Sequence, residues 1–242
     1  MIGKNQARSF QSLENRLAYV PAGLFTMGSR EGGPGNLPRE VAVERFQLGR
    51  YEVTAAEYAA YLNDAQPTNA VAHPPIVLSD GEYLVPWRQR NRPAAFVSFD
   101  DAAAYCVWLS ERTGRKVRLP TEAEWECAAR GGIRQARYPW GWGDAKGRAC
   151  FDAEGPEPVG SFDPNAFGLY DMAGNVFEWC APEPGAEAGA TAFVRGGSWA
   201  ERDPRLLRVY HRVELPREYR DADVGFRVLV EPSRKTDIAQ AR

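Results

Sequence analysis

The feature that most restricts the fold is residues 138–179, YPWGWGDAKGRACFDAEGPEPVGSFDPNAFGLYDMAGNVFEW. This stretch is rich in Gly, Pro, Asp and aromatic residues and has no sustained helical period. It must therefore be ordered loop, held in place by what its rings can bury. Trp140, Trp142, Phe162, Phe167, Tyr170, Phe177 and Trp179 are accordingly assigned to the core rather than to a ligand platform.

The chain ahead of this stretch is more regular. Three segments open with a capping box, in which a hydroxyl residue is followed three positions later by an acid: Thr54 with Glu57, Ser98 with Asp101, and Thr121 with Glu124. The first predicted helix turns Ala55, Tyr58, Tyr61 and Leu62 to one face. The second turns in Ala102, Tyr105, Cys106 and Leu109 and stops at Gly114, and the third stops at Gly131 and Gly132. Strands are expected over residues 18–29, with a turn, over 41–53, and in ATAFVRGGSW and VGFRVLVEP near the end. The pattern is α+β with irregular structure dominating. It divides into an arm at 1–16, one domain at 17–231 and a tail at 232–242, with a loose loop at 181–190.

A chain of 242 residues, 44% hydrophobic, can bury about 70 to 75% of its unfolded surface as a single domain. Its net charge of −2 argues against a nucleic-acid partner, which needs a positive footprint. No apolar run is long enough for a membrane span and the N-terminus lacks a secretory apolar core, so a soluble cytoplasmic protein is expected. Cys106, Cys127, Cys150 and Cys180 form no CxxC pair, which predicts buried free thiols rather than zinc or disulfides. His73 and His211 are the only histidines, so a three-histidine metal site is excluded.

Seven segments, VPAGLFTMGS, EVTAAEYAAYL, GRKVRLPTEAEWECAARGG, YPWGWGD, NAFGLYDMAGNVFEWC, RGGSW and GFRV, occur in an order that resembles the formylglycine-generating enzyme (sulfatase-modifying factor) family. The resemblance covers residues 17–230. It implies a variant of the C-type lectin fold with little regular structure, two to three helices and short twisted antiparallel strands. It also implies calcium, with Asn175, Glu178 and the Val176 carbonyl as ligands. A second calcium position in the family falls at Cys150, a poor ligand, although Asp152 and Glu154 are close by.

Archetypal members hold copper(I) with two cysteines placed shortly after the GGSW element. Those positions fall near Glu201 and Leu206, neither of which offers the soft thiolate that copper(I) requires, so no copper and no formylglycine generation are expected. A branch of this family, the retroelement variable proteins, uses the surface after GGSW for binding. Trp199, Glu201, Arg202, Arg205, Arg208, Tyr210, His211, Arg212 and Tyr219 occupy that region here, with the Arg and Tyr enrichment of binding hot spots. The expected partner is a peptide, a protein surface or a small acidic ligand; the oligomeric state cannot be read from the sequence. Arg195, Arg220 and Arg227 are read instead as ordinary surface ion pairs.

A second reading stays open at this stage. A divergent oxidative tailoring enzyme acting on a peptide or siderophore-type product would also lack the copper cysteines. His211 is the one candidate general base, because an unperturbed imidazole titrates near pH 6.5. Ser198 lies in no GxSxG elbow, and no dinucleotide or phosphate-loop fingerprint is present.

Overall fold

The computed structural model describes residues 13–68, 70–186 and 189–232; most of the expected arm and nearly all of the tail lie outside them. Twelve short strands are present among the described residues: β1 (Leu17–Val20), β2 (Gly23–Met27), β3 (Arg39–Val43), β4 (Phe46–Gly49), β5 (Val77–Ser79), β6 (Glu82–Leu84), β7 (Val117–Arg118), β8 (Phe177–Cys180), β9 (Thr191–Arg195), β10 (Arg212–Pro216), β11 (Val224–Gly225) and β12 (Leu229–Val230). They form one sheet ordered β1-β4-β12-β7, another ordered β10-β9-β8-β11, and two hairpins, β2-β3 and β5-β6. All pairings are antiparallel except β8 with β11.

Three α-helices are present among the described residues: α1 (Ala55–Ala65), α2 (Phe99–Thr113) and α3 (Glu122–Arg130). Each begins with the capping box read from the sequence: Thr54, Ser98 and Thr121 each accept from the backbone three residues on, and Glu57, Asp101 and Glu124 reach back. Such a cap contributes on the order of 1 kcal/mol. Gly114 and Gly131 close α2 and α3 in the left-handed region. The faces turned inward on α1 and α2 are those expected from the spacing.

Two apolar clusters follow from this layout. One joins α1 and α2 to β8, β9 and β11, with Tyr105 meeting Phe226 edge-on at 5.2 Å and Phe99 meeting Trp179 at 6.0 Å. The other joins α3 to β1, β4 and β12 around Trp125, Met27 and Leu48. Phe177 and Trp179 are core residues as expected. Trp142 is not: it is 58% exposed, at the tip of a loop.

An ion pair ties the two sheets together. Arg227 and Glu178 are both fully buried; Arg227 Nε and Nη2 donate to the two Glu178 oxygens, each at 2.6 Å. The same guanidinium donates to the carbonyls of Gly49 and Tyr170 at 3.0 Å each, and Trp125 Nε1 donates to Glu178 at 2.7 Å. The surface-pair reading of Arg227 is therefore corrected, because a buried charge without its partner is far more costly than an exposed one. Arg227→Met is expected to lower the unfolding free energy by about 3–5 kcal/mol. Arg227→Met combined with Glu178→Leu should recover part of that loss, as urea denaturation of the two variants would show.

Candidate functional site

The strip that follows β9 is built on buried charge. Arg195 is 0% exposed and sits 5.6 Å over the Trp125 ring, so it too is no surface pair. Its guanidinium donates to Glu122 at 3.1 Å, to Glu126, and to the Val209 carbonyl at 2.8 Å. Glu126 in turn accepts from the Gly28 amide at 2.7 Å and from Arg130 Nη2 at 2.6 Å, and Arg130 donates to the carbonyls of Gly28 and Ala136. The pair of Glu126 and Arg195 thus joins β9, α3, the turn after β2 and, through the Val209 carbonyl, the segment before β10. Neither Glu126 nor Arg130 was singled out from the sequence. Their i,i+4 spacing on α3 was the available signal, but such pairs are usually solvated.

Above this base the chain turns through Gly196 and Gly197. Gly197 has φ of 75°, and a Cβ there would lie 3.0 Å from the Leu206 carbonyl oxygen, so any side chain would push the strip off its support. Trp199 is half-buried, donates its ring N–H to the Ala222 carbonyl at 3.2 Å, and receives the Ala153 amide on its own carbonyl at 3.0 Å. Ser198 Oγ donates to Asp223 at 2.8 Å. Glu201 lies beside Asp223 and Asp203: burial first, then those two charges, raises its carboxyl above the usual range. Burial likewise raises Asp223.

The arginines are less free than the sequence suggested. Arg202 is the most open, 90% exposed and 3.9 Å from Asp152, while Arg205 is held by Asp203 at 2.6 Å. Arg208 turns inward to Glu31 at 2.8 Å, and Arg212 packs 3.6 Å over Phe193 while pairing with Glu122 at 3.2 Å. Arg220 pairs with Asp101 at 2.7 Å. Tyr210 is only 4% exposed and its hydroxyl donates to Glu31 at 3.1 Å, which corrects the expectation that it stands on an open surface. Tyr219 is exposed and donates to Asp221. His211 is half-buried; burial, then Arg195, lowers its pKa, and its ring makes no hydrogen bond among the described residues. It lacks the oriented partner that a general base needs.

Calcium is the metal that the family implies beside this strip. Asn175 takes the left-handed conformation at φ of 63°; its Oδ1 accepts from the Glu157 amide at 2.9 Å and its Nδ2 donates to Glu52 at 3.0 Å. Both Glu178 oxygens face Arg227. As arranged, Asn175, Val176 and Glu178 do not fit a calcium ion, which would have to displace a guanidinium from Glu178 to complete its six to eight oxygens. Among the described residues, no three His, Cys, Asp or Glu side chains converge on a metal position. The four cysteines are free, and burial raises every thiol, Cys127 and Cys150 to about 11.

The chain matches the model of the sulfatase-modifying factor enzyme 1-like domain over residues 4–232. It belongs to that family. It is 31% identical to a formylglycine-generating enzyme of Thermomonospora curvata, over 93% of this chain and 96% of that protein. Among solved structures it is similar to Treponema denticola variable protein 1, with a TM-score of 0.74 and 25% identity over 89% of this chain and 95% of that one. It is also similar to PvdO from Pseudomonas aeruginosa, with a TM-score of 0.72 and 31% identity over 89% of this chain and 94% of that one. In some longer relatives the matched region makes up 36% of the protein, so the domain also occurs within larger chains. The α+β fold is the family's variant of the C-type lectin fold, as the sequence implied.

The acids packed under the strip yield a pH prediction. Burial raises Asp171 from its ordinary 3.8 to about 6, and raises Glu52 with the Asp171 charge as the second cause. A carboxyl raised on folding favours the folded state below its unfolded pKa, and that contribution is lost as pH climbs from about 4 to about 6. Asp171→Asn, which can still accept the Gly160 amide, is therefore expected to gain melting temperature relative to the parent as pH rises from 4 to 7. Parallel melts with calcium or with EDTA should leave both curves in place; a calcium-dependent rise in the parent would put an ion among these acids.

Proposed function

We propose that this protein is a copper-independent binding or accessory member of its family, which captures a peptide or protein surface on the face formed by Trp199, Glu201, Arg202, Arg205 and Tyr219. The observation that carries this reading is the substitution at the family's metal positions. Glu201 is a hard carboxylate beside a second acid, Asp223, and Leu206 has no donor at all, a pair that cannot hold copper(I). The face around them carries mixed charge. Arg202 and Arg205 project into solvent, each next to an aspartate, and the half-buried Trp199 and the exposed Tyr219 supply aromatic surface. Alternating charge with aromatic anchors suits a protein or peptide contact, where it sets register and rejects wrong partners. A small acid is disfavoured on this face, because the Glu201 and Asp223 carboxyls lie close to one another on it.

Metal analysis of aerobically purified protein, together with oxygen uptake in the presence of a cysteine peptide, tests the first part. Copper and iron well below one per chain and no oxygen consumption are expected. About one copper or iron per chain, or a flavin absorption band, would overturn the proposal in favour of a divergent oxidative tailoring enzyme. Selection of a displayed random-peptide library on the immobilised protein tests the second part. Enriched peptides should lose about tenfold or more in affinity when Arg202, Arg205 and Tyr219 are changed to alanine; unchanged affinity would remove this face from the reading.

A further inference from the structure

A cavity of about 560 Å³ lies between the turn at 28–31, the segment 135–137 and Tyr210, and none of Trp199, Glu201, Arg202, Arg205 or Tyr219 lines it. Its wall begins at Gly28, whose φ is 83° and where a Cβ would meet the Asn36 carbonyl oxygen at 2.6 Å. Ser29 caps the short turn that follows, so Arg30 and Glu31 stand side by side at the rim. The Asn36 side chain donates to the Tyr210 carbonyl, which ties the turn to the strip after β9.

Glu31 is held by donors from distant parts of the chain. Arg137 Nη2 reaches one carboxylate oxygen at 2.5 Å; Arg208 Nη1 at 2.8 Å and the Tyr210 hydroxyl at 3.1 Å reach the other. Two guanidinium groups and a phenol converging on one carboxylate are the donor set by which proteins recognise an acid group on a ligand. The donors also exceed what Glu31 needs. Arg137 remains exposed, and Arg30 is exposed and makes no ion pair among the described residues. Arg130, deeper in the wall, is already matched by Glu126. The lining thus carries two exposed guanidinium groups, of Arg30 and Arg137, beside the single carboxylate of Glu31, which Arg208 also reaches from outside the lining.

Trp142 completes the opening. It lines the cavity, yet it is 58% exposed, whereas Tyr138 and Trp140 in the same segment stack on each other at 4.9 Å. A bare indole next to surplus guanidinium offers a flat ring a stacking face and its acid group a fork.

We propose that this cavity binds a small acid, a carboxylate or phosphate carried on a flat ring, with Arg30 and Arg137 taking the anion, Trp142 stacking on the ring, and Glu31 acting as a built-in competitor for the same donors. The incoming acid displaces the Glu31 carboxylate from Arg137, and Arg208 and Tyr210 retain it. The proposal does not depend on the face described above or on the absence of copper, so either can fail alone.

The test is a fluorine NMR titration of the intact protein with 4-fluorobenzoate, 4-fluorophenyl phosphate and, as the neutral control, 4-fluorobenzamide. At least one acid should bind about tenfold or more tightly than the amide, and the tighter acid assigns the ligand's anionic group. Glu31→Gln should tighten that binding about tenfold, Arg137→Gln should abolish it, and Trp142→Ala should weaken it severalfold. Arg30→Gln and Trp142→Ala change exposed side chains and keep the test valid if the Glu31 variant folds poorly. Equal binding of the amide, no binding of either acid, or an Arg30→Gln variant that binds as the parent does would overturn the site. Glu31→Gln that folds but leaves affinity unchanged or weaker would make Glu31 a structural clamp and overturn its role as competitor.

Discussion

The buried chain of charge from Arg195 through Glu126 to Arg130 is the interaction on which the rest of the molecule depends. Arg195 lies at the end of β9, Glu126 and Arg130 on α3; besides Glu122, which Arg195 also meets, their partners are the Gly28 amide and the carbonyls of Gly28, Ala136 and Val209. Each of those backbone groups belongs to a segment with little regular structure of its own. A guanidinium satisfies several carbonyls at once in fixed directions, which lets loops be positioned as firmly as a sheet ladder positions strands. Arg227 with Glu178 repeats the device on the other side of Trp125, whose ring N–H donates to the same Glu178.

This construction leaves the strip after β9 free to vary in its side chains while its backbone stays fixed. The strip after β9 is supported from below by Arg195 and from the sides by amide bonds to Asn175 and to residues 152 and 153, none of which involves residue 201 or 206 as a side chain. Glu201 and Leu206 can therefore stand where thiolates stand in the copper-bearing members without loosening the floor. The strip carries a pair of raised carboxyls, Glu201 and Asp223, with Arg202 and Arg205 exposed near them.

Much of the architecture was legible locally. The three capping boxes fixed the helix starts because each acts within four residues, and the apolar spacing gave the faces of α1 and α2 correctly. The aromatic loop segment was rightly read as packed for Phe177 and Trp179 and wrongly for Trp142, because burial depends on which loop tip meets another element. The parallel pairing of β8 with β11 had no local signal, since the two strands are joined only by the long excursion through β9 and β10.

The sequence by itself determined the family, the helix starts, the lack of cysteine at positions 201 and 206 and the excess of arginine after GGSW, all of which rest on residue identity and short spacing. Only the tertiary structure decided what each arginine does. Arg195 and Arg227 are buried in the core, Arg208 turns inward to Glu31, and Arg202 alone is almost wholly in solvent. The reason is physical: a guanidinium's role is set by which carboxylate reaches it, and Arg227, Arg195 and Arg208 meet Glu178, Glu126 and Glu31 across 49, 69 and 177 residues.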